Sequence, residues 1–149
     1  REIFVKVFLG KRGGFDYNTD CVLEDRNMRN IAVWFEIPVK DMERARLFYS
    51  NMLGYDLPVQ DLGGVLMAFF PMAGHGNSGA LIRGDGYEPC DRGTVVYLNA
   101  GEDLVESLER VEPAGGKVVV PKTKITDEYG HFALFQDTEG NLVGLHSMK

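Results

Sequence analysis

Within residues 30–57, NIAVWFEIPVKDMERARLFYSNMLGYDL, the hydrophobic period changes from that of a strand to that of a helix. From Ile31 to Val39 the odd positions Ile31, Val33, Phe35, Ile37 and Val39 are all apolar, whereas Ala32, Trp34, Glu36 and Pro38 make a mixed face. Alternation of this kind is the signature of a strand with one buried face. Ala45, Phe48, Tyr49, Met52 and Leu53 then recur at helical spacing, with charged residues around them. Asp41 suits the N-cap, because a carboxylate accepts from first-turn amides that have no helical partner. Gly54 suits the left-handed position that ends a helix. The apolar strand face and the helix stripe are expected to pack together. Trp34 and Glu36 would then point to the other side of the sheet.

The pattern recurs. Val65–Phe70 and Ala80–Arg83 read as further strands, with turn-rich residues 71–79 between them and a Gly- and Pro-containing linker at 84–92. Gly93–Asn99 is again a strand, Glu102–Glu112 a helix, Lys117–Val120 a short strand, and Phe132–Gln136 and Leu142–His146 a hairpin pair joined by DTEGN. Asp41 and Asp103 open helices 62 positions apart, and Gly54 and Gly116 follow at the same offset. The spacing predicts an α+β chain of two β-α-β-β-β modules, at 30–83 and 93–149. Residues 1–29 read as an N-terminal extension, either an appended segment or an added edge strand built on Glu2–Leu9.

Composition narrows the partners. A formal charge of −6 over 149 residues argues against a phosphate-binding footprint, so no nucleic acid is expected. No apolar run approaches the roughly 20 residues of a membrane-spanning helix, and no signal peptide is visible. The two cysteines, Cys21 and Cys90, lack metal-type spacing, and a cytoplasmic location is the expectation.

FEIPVKDMERARLFYSNMLGYDL in the first module, with GGKVVVPKTKI and GHFALFQDTEGNLVGLHS in the second, resembles the vicinal oxygen chelate superfamily. That superfamily holds glyoxalase I, bleomycin-resistance proteins, fosfomycin-resistance transferases and extradiol dioxygenases. The resemblance implies paired modules whose curved mixed sheets enclose a small-molecule cleft, a divalent metal in many members, and frequent homodimers. It also implies where the metal ligands would stand. Seven residues before the helix-opening aspartate stands Trp34 in the first module and Val96 in the second. Three residues after the Asn of the hairpin stands Gly144, and the fourth position falls near Ala80–Ile82. None of these side chains binds a metal, so no cofactor is expected at the usual positions.

The same faces offer Glu36 and His146 instead. A carboxylate and an imidazole sharing one pocket would serve as an acid–base pair for a proton-transfer isomerase or lyase, or as two ligands of a displaced divalent metal. The plainer reading makes Glu36 a solvated strand carboxylate and His146 an ordinary strand histidine. Trp34, Val96, Leu98 and Gly144 are the expected ligand-binding residues. Tyr97, opposite Val96 by alternation, is expected to pack under the helices; His75, His131, Lys122, Lys124 and Arg83 are weaker candidates. Two functions stay open: an enzyme of lyase or isomerase type, other than a standard lactoylglutathione lyase, and a non-catalytic protein sequestering a drug-like or cationic small molecule. An iron-dependent dioxygenase is set aside, because its two-His-one-carboxylate triad finds no histidine at the required places.

Overall fold

The computed structural model describes residues 31–72 and 78–149, and the unit built from them runs from Ala32 to Lys149. The expectations for residues 1–29, Cys21 and His75 lie outside the described residues. The first module runs β1 (Trp34–Pro38), α1 (Met42–Leu53), β2 (Val59–Asp61), β3 (Leu66–Phe69) and β4 (Ser78–Arg83). The second runs β5 (Tyr97–Asn99), α2 (Val105–Val111), β6 (Lys117–Thr126), β7 (Gly130–Gln136) and β8 (Leu142–Ser147). Each module forms a four-stranded mixed sheet, ordered β1-β4-β3-β2 and β5-β8-β7-β6. In both, the first strand pairs parallel to the last and the remaining pairs are antiparallel. Neither sheet closes on itself.

The period change does what it predicts. Ile37 on β1 and Val39 just after it, Ala68 on β3 and Phe70 just after it, and Leu81 on β4 are buried in one cluster with Ala45, Phe48, Tyr49 and Met52 of α1. Asp41 caps the helix by accepting from the Arg44 amide at 3.0 Å, and Gly54 ends it at φ 76°. The strand is shorter than the alternation suggests: Ile31 and Val33 precede it and are 104% and 66% exposed. In the second module Leu98, Ala133, Phe135, Val143 and Leu145 bury their side chains in the same cluster as the first module's core. Phe48 of α1 meets Phe135 of β7 at a ring separation of 5.8 Å. The two modules therefore share one hydrophobic interior.

Other expected elements also differ in length, and β5 is confined to Tyr97–Asn99 rather than beginning at Gly93. β6 continues to Thr126 rather than stopping at Val120. Pro121 does not end it, because β6 lies at the edge of its sheet, where a missing N–H costs no ladder bond; the pairing with β7 is instead interrupted by three register shifts. α2 begins at Val105, three residues later than expected. Asp103 receives the Val105 amide and Ser147 Oγ receives that of Leu104, both at 3.0 Å, so the chain before the helix is held by side chains rather than by a further turn.

The DTEGN hairpin is the polar fastening between modules. Asp137 is buried and its carboxylate accepts four hydrogen bonds: from the amides of Glu139 and Asn141, from Asn141 Nδ2, and from the Tyr49 hydroxyl of α1 at 2.8 Å. Glu139 reaches the start of α1, where its Oε2 accepts from the amides of Lys40 and Asp41 at 2.9 and 3.0 Å and its Oε1 from Arg44 Nε at 2.7 Å. A carboxylate there also complements the positive end of the helix dipole. Asn141 Nδ2 completes the joint by donating to the Pro38 carbonyl at 2.8 Å.

Candidate functional site

The face of the first sheet turned away from the helices carries the polar and aromatic residues of interest. Strand alternation puts Trp34, Glu36 and Pro38 there from β1, Met67 and Phe69 from β3, and Ala80 and Ile82 from β4. Met67, Ala80 and Ile82 form a second apolar cluster, with Val65, Phe69 and Tyr87 packed on it. Trp34 is 44% exposed and tilts over Phe69 at 6.1 Å between ring centroids. Its indole Nε1 donates to Glu36 Oε1 at 3.3 Å. The Glu36 carboxylate also raises the pKa of the Tyr87 phenol above its usual value. Glu36 thus sits in an aromatic surround on an open sheet face.

Glu36 also lines a cleft of about 170 Å³ at the seam of the modules, together with Pro38, Val96, Asn141, and Glu88 and Arg92 of the linker. Lys40 pairs with Glu88 at 2.9 Å beside it. The linker is tied down at its far end, where the Cys90 amide donates to Asn141 Oδ1 and the Leu142 amide to the Cys90 carbonyl.

His146 has different company. Its neighbours across β8 are Asn99 and Phe132, and its Nε2 lies 2.8 Å from the Tyr129 carbonyl oxygen, which makes that nitrogen a donor. Among the described residues, no hydrogen bond joins His146 to Glu36, and the seam cleft that Glu36 lines does not include it.

The second module is one residue out of step with the expected alignment. The backbone bond from Val39 N to Ile82 O is repeated by Ala100 N to His146 O. The equivalent of Val39 is therefore Ala100, 61 positions on, although the two helix-opening aspartates are 62 apart. The extra residue lies between Ala100 and Asp103, where Gly101 takes φ 77°. A shift of one inverts every side chain of a strand. Leu98, expected to touch ligand, is instead the counterpart of Ile37 and lies 7% exposed in the core. Tyr97, expected under the helices, is the counterpart of Glu36 and is partly exposed on the opposite face. Val96 packs partly against the core while lining the seam cleft. The place equivalent to Trp34 becomes Val95, not Val96. Gly144 lies under Tyr97: a Cβ there would come within 2.3 Å of the Tyr97 ring, so this position holds an aromatic side chain in place of a ligating one.

The donor set does not fit the metal of the metal-dependent relatives. Trp34, Val95 or Val96, and Gly144 offer no ligating atom, and among the described residues no group of three or more His, Cys, Asp or Glu side chains is gathered as a metal site. Alternation alone would have identified Phe69 and Met67 beside Trp34. Tyr87 had no such signal, because it comes from an aperiodic linker.

Comparison with known proteins matches this architecture. The family model for the Glyoxalase/Bleomycin resistance protein/Dioxygenase superfamily covers residues 31–145. A glyoxylase-like domain-containing protein of Didymella fabae is 31% identical over 111 residues, 71% of this chain and 84% of that protein. Among solved structures, a mutant of glyoxalase I from Zea mays superposes with a TM-score of 0.58 at 22% identity, covering 77% of this chain but only 45% of the maize chain. TnmS3, described as an antibiotic binding protein from Streptomyces sp. CB03234, gives 0.55 at 24% identity over 82% of this chain and 98% of its own. This chain therefore spans under half the length of the maize enzyme and nearly all of TnmS3. Among the described residues, no helix is long and apolar enough to cross a membrane.

Proposed function

The chain belongs to the Glyoxalase/Bleomycin resistance protein/Dioxygenase superfamily, and from that membership we propose a protein that binds a small organic molecule without transforming it. The carrying observation is the setting of Glu36. It stands beside the Trp34 indole and the Tyr87 phenol at the edge of the apolar cluster of Met67, Phe69 and Ile82. A carboxylate among aromatic faces suits a flat molecule bearing a positive charge, through cation–π attraction and a charge-assisted hydrogen bond. A proton-transfer reaction would need Glu36 and His146 to face one substrate, whereas His146 is engaged with the Tyr129 carbonyl. The description of TnmS3 as an antibiotic binding protein shows the fold in a binding role and supports this reading only to that extent.

The test is calorimetric titration with 2-naphthylmethylammonium and with its neutral isostere 2-naphthylmethanol. The cation should bind more tightly. Glu36→Gln should weaken the cation about 5- to 30-fold, the span of roughly 1–2 kcal/mol for a partly desolvated charge contact, and leave the alcohol unchanged. Cation affinity unaffected by Glu36→Gln would overturn the proposal.

We extend the proposal to a cytoplasmic homodimer. A cleft of about 170 Å³ is below the roughly 300–1,000 Å³ typical of ligand sites, and a second copy packed against it would supply the missing wall. The free, exposed Cys90 thiol suits a reducing compartment. Light scattering should give twice the 16.6 kDa of one chain. A mass of one chain at all concentrations would refute the dimer.

A further inference from the structure

Two charges of opposite sign line the seam cleft without meeting each other. Glu36 brings a carboxylate from β1, and Arg92 brings a guanidinium from the end of the linker. Among the described residues, Glu36 enters no ion pair, and Arg92 enters only a loose one with Asp91 at 3.7 Å. Glu88, the third charge of the cleft, is already matched by Lys40 at 2.9 Å. The backbone that carries Arg92 is held in place. The linker turns at Gly84–Gly86, where the Tyr87 amide donates to the Gly84 carbonyl at 3.3 Å. It is then fastened by Cys90 to Asn141 and Leu142, and the Arg92 amide donates to Cys90 Sγ at 3.3 Å. Gly93 follows at φ 99°, a conformation that favours glycine.

Size divides the ligand into two parts. At about 170 Å³ the cleft cannot take a whole drug-sized molecule, which typically fills roughly 300–1,000 Å³. It admits a polar head group whose aromatic body lies outside, on the ring platform of Trp34 and Phe69. Glu36 stands at the junction, because it borders the cleft and also accepts from the Trp34 indole. We propose that the ligand is an aromatic amino acid, with its ring on Trp34, its ammonium at Glu36 and its carboxylate at Arg92. This rests on the reading that a flat cation binds at Glu36, and it adds the second charge. The planar guanidinium fork donates to both oxygens of a carboxylate at once. Arg92 is therefore the specificity-determining residue, separating an amino acid from the simple amine that bears the same ring.

Calorimetry at about pH 7 and low salt, where charges are least screened, compares L-2-naphthylalanine with 2-(2-naphthyl)ethylammonium, the same molecule without its carboxylate. The Arg92 side chain is 90% exposed, so the amino acid should bind about 2- to 5-fold more tightly, the range of an exposed ion pair. Arg92→Gln should abolish that preference, and Glu36→Gln should weaken both ligands. Equal or weaker binding of the amino acid by the wild type, or a preference that survives Arg92→Gln, would overturn the proposal. The amide resonances of Arg92 and Thr94 should move during titration with the amino acid. If they stay fixed while the His146 ring protons move, the ligand lies on the other sheet and the seam assignment fails. Amine binding that needs Glu36, with no advantage to the amino acid, would leave the cation site standing and refute the zwitterion. Binding of neither ligand would refute both.

Discussion

Glu139 is a carboxylate that joins the two modules. Its side chain has 0% accessible surface, and its partners are Lys40, Asp41 and Arg44 at the start of α1 and the neighbouring Thr138 hydroxyl at 3.4 Å. Burial works against its charged form. The Arg44 guanidinium and the amides of Asp41 and Lys40 outweigh that cost and hold its pKa below the ordinary value of 4.5. A group whose folded pKa is depressed contributes stability above its unfolded pKa and loses it as pH falls through the folded value. The wild type should therefore shed stability on acidification from about pH 5 downward as this carboxylate is protonated. Glu139→Gln should be less stable at pH 7 and show a shallower decline, because the pH-sensitive group is gone. Urea midpoints measured across that range decide it: parallel curves for the two proteins would mean that the Glu139 contacts carry no charge-dependent stability.

At the scale of elements, a single extra residue reorganises what the second module presents. The connection from Ala100 to Asp103 is one residue longer than that from Val39 to Asp41, which turns Leu98 inward and Tyr97 outward. Leu98→Ala should accordingly behave as a core truncation, costing about 2–5 kcal/mol, and leave binding of 2-naphthylmethylammonium unaltered once the protein is folded. A variant of near wild-type stability with impaired binding would return Leu98 to the ligand face. The β-α-β-β-β order of each module was legible because the hydrophobic period switches at Val39 and because Asp41 and Gly54 punctuate the helix where capping physics requires. The face of β5 was not legible, since an alignment anchored on Asp103 passes over an insertion next to it, and three paired residues give alternation too little length to correct the error. Glu36 and Trp34 were placed on one face by alternation, and their hydrogen bond shows them there. Tyr87 could not be read at all: its position depends on the turn at Gly84–Gly86 and on a tertiary contact, neither of which leaves a period in the sequence.

Across the whole described unit, the apolar cluster runs without a break from Ile37 to Leu145, and α1 contributes Phe48 and Tyr49 to both halves. Interiors packed to this density transmit a disturbance rather than absorb it locally. The polar joint has the same property, because Asp137 of the second module satisfies the Tyr49 hydroxyl of the first. Burial, followed by the nearby Asp137 carboxylate, pushes that phenol's pKa well above its usual value, so it remains a neutral donor and the bond persists at all ordinary pH. The modules should consequently unfold together, although each has its own sheet and helix. Trp34, the one tryptophan of the chain, reports on the first module by its emission, and the ring protons of His131 and His146 report on the second by NMR. In urea the two signals should share one midpoint, the two-state criterion. Asp137→Ala sharpens the test, since it removes a side chain of the second module and strands the Tyr49 hydroxyl and hairpin amides, at about 1–3 kcal/mol for each buried group left unsatisfied. Both midpoints should fall by the same amount. A histidine midpoint that falls while the Trp34 midpoint stays would show two independent modules, and the shared core would then contribute too little to couple them.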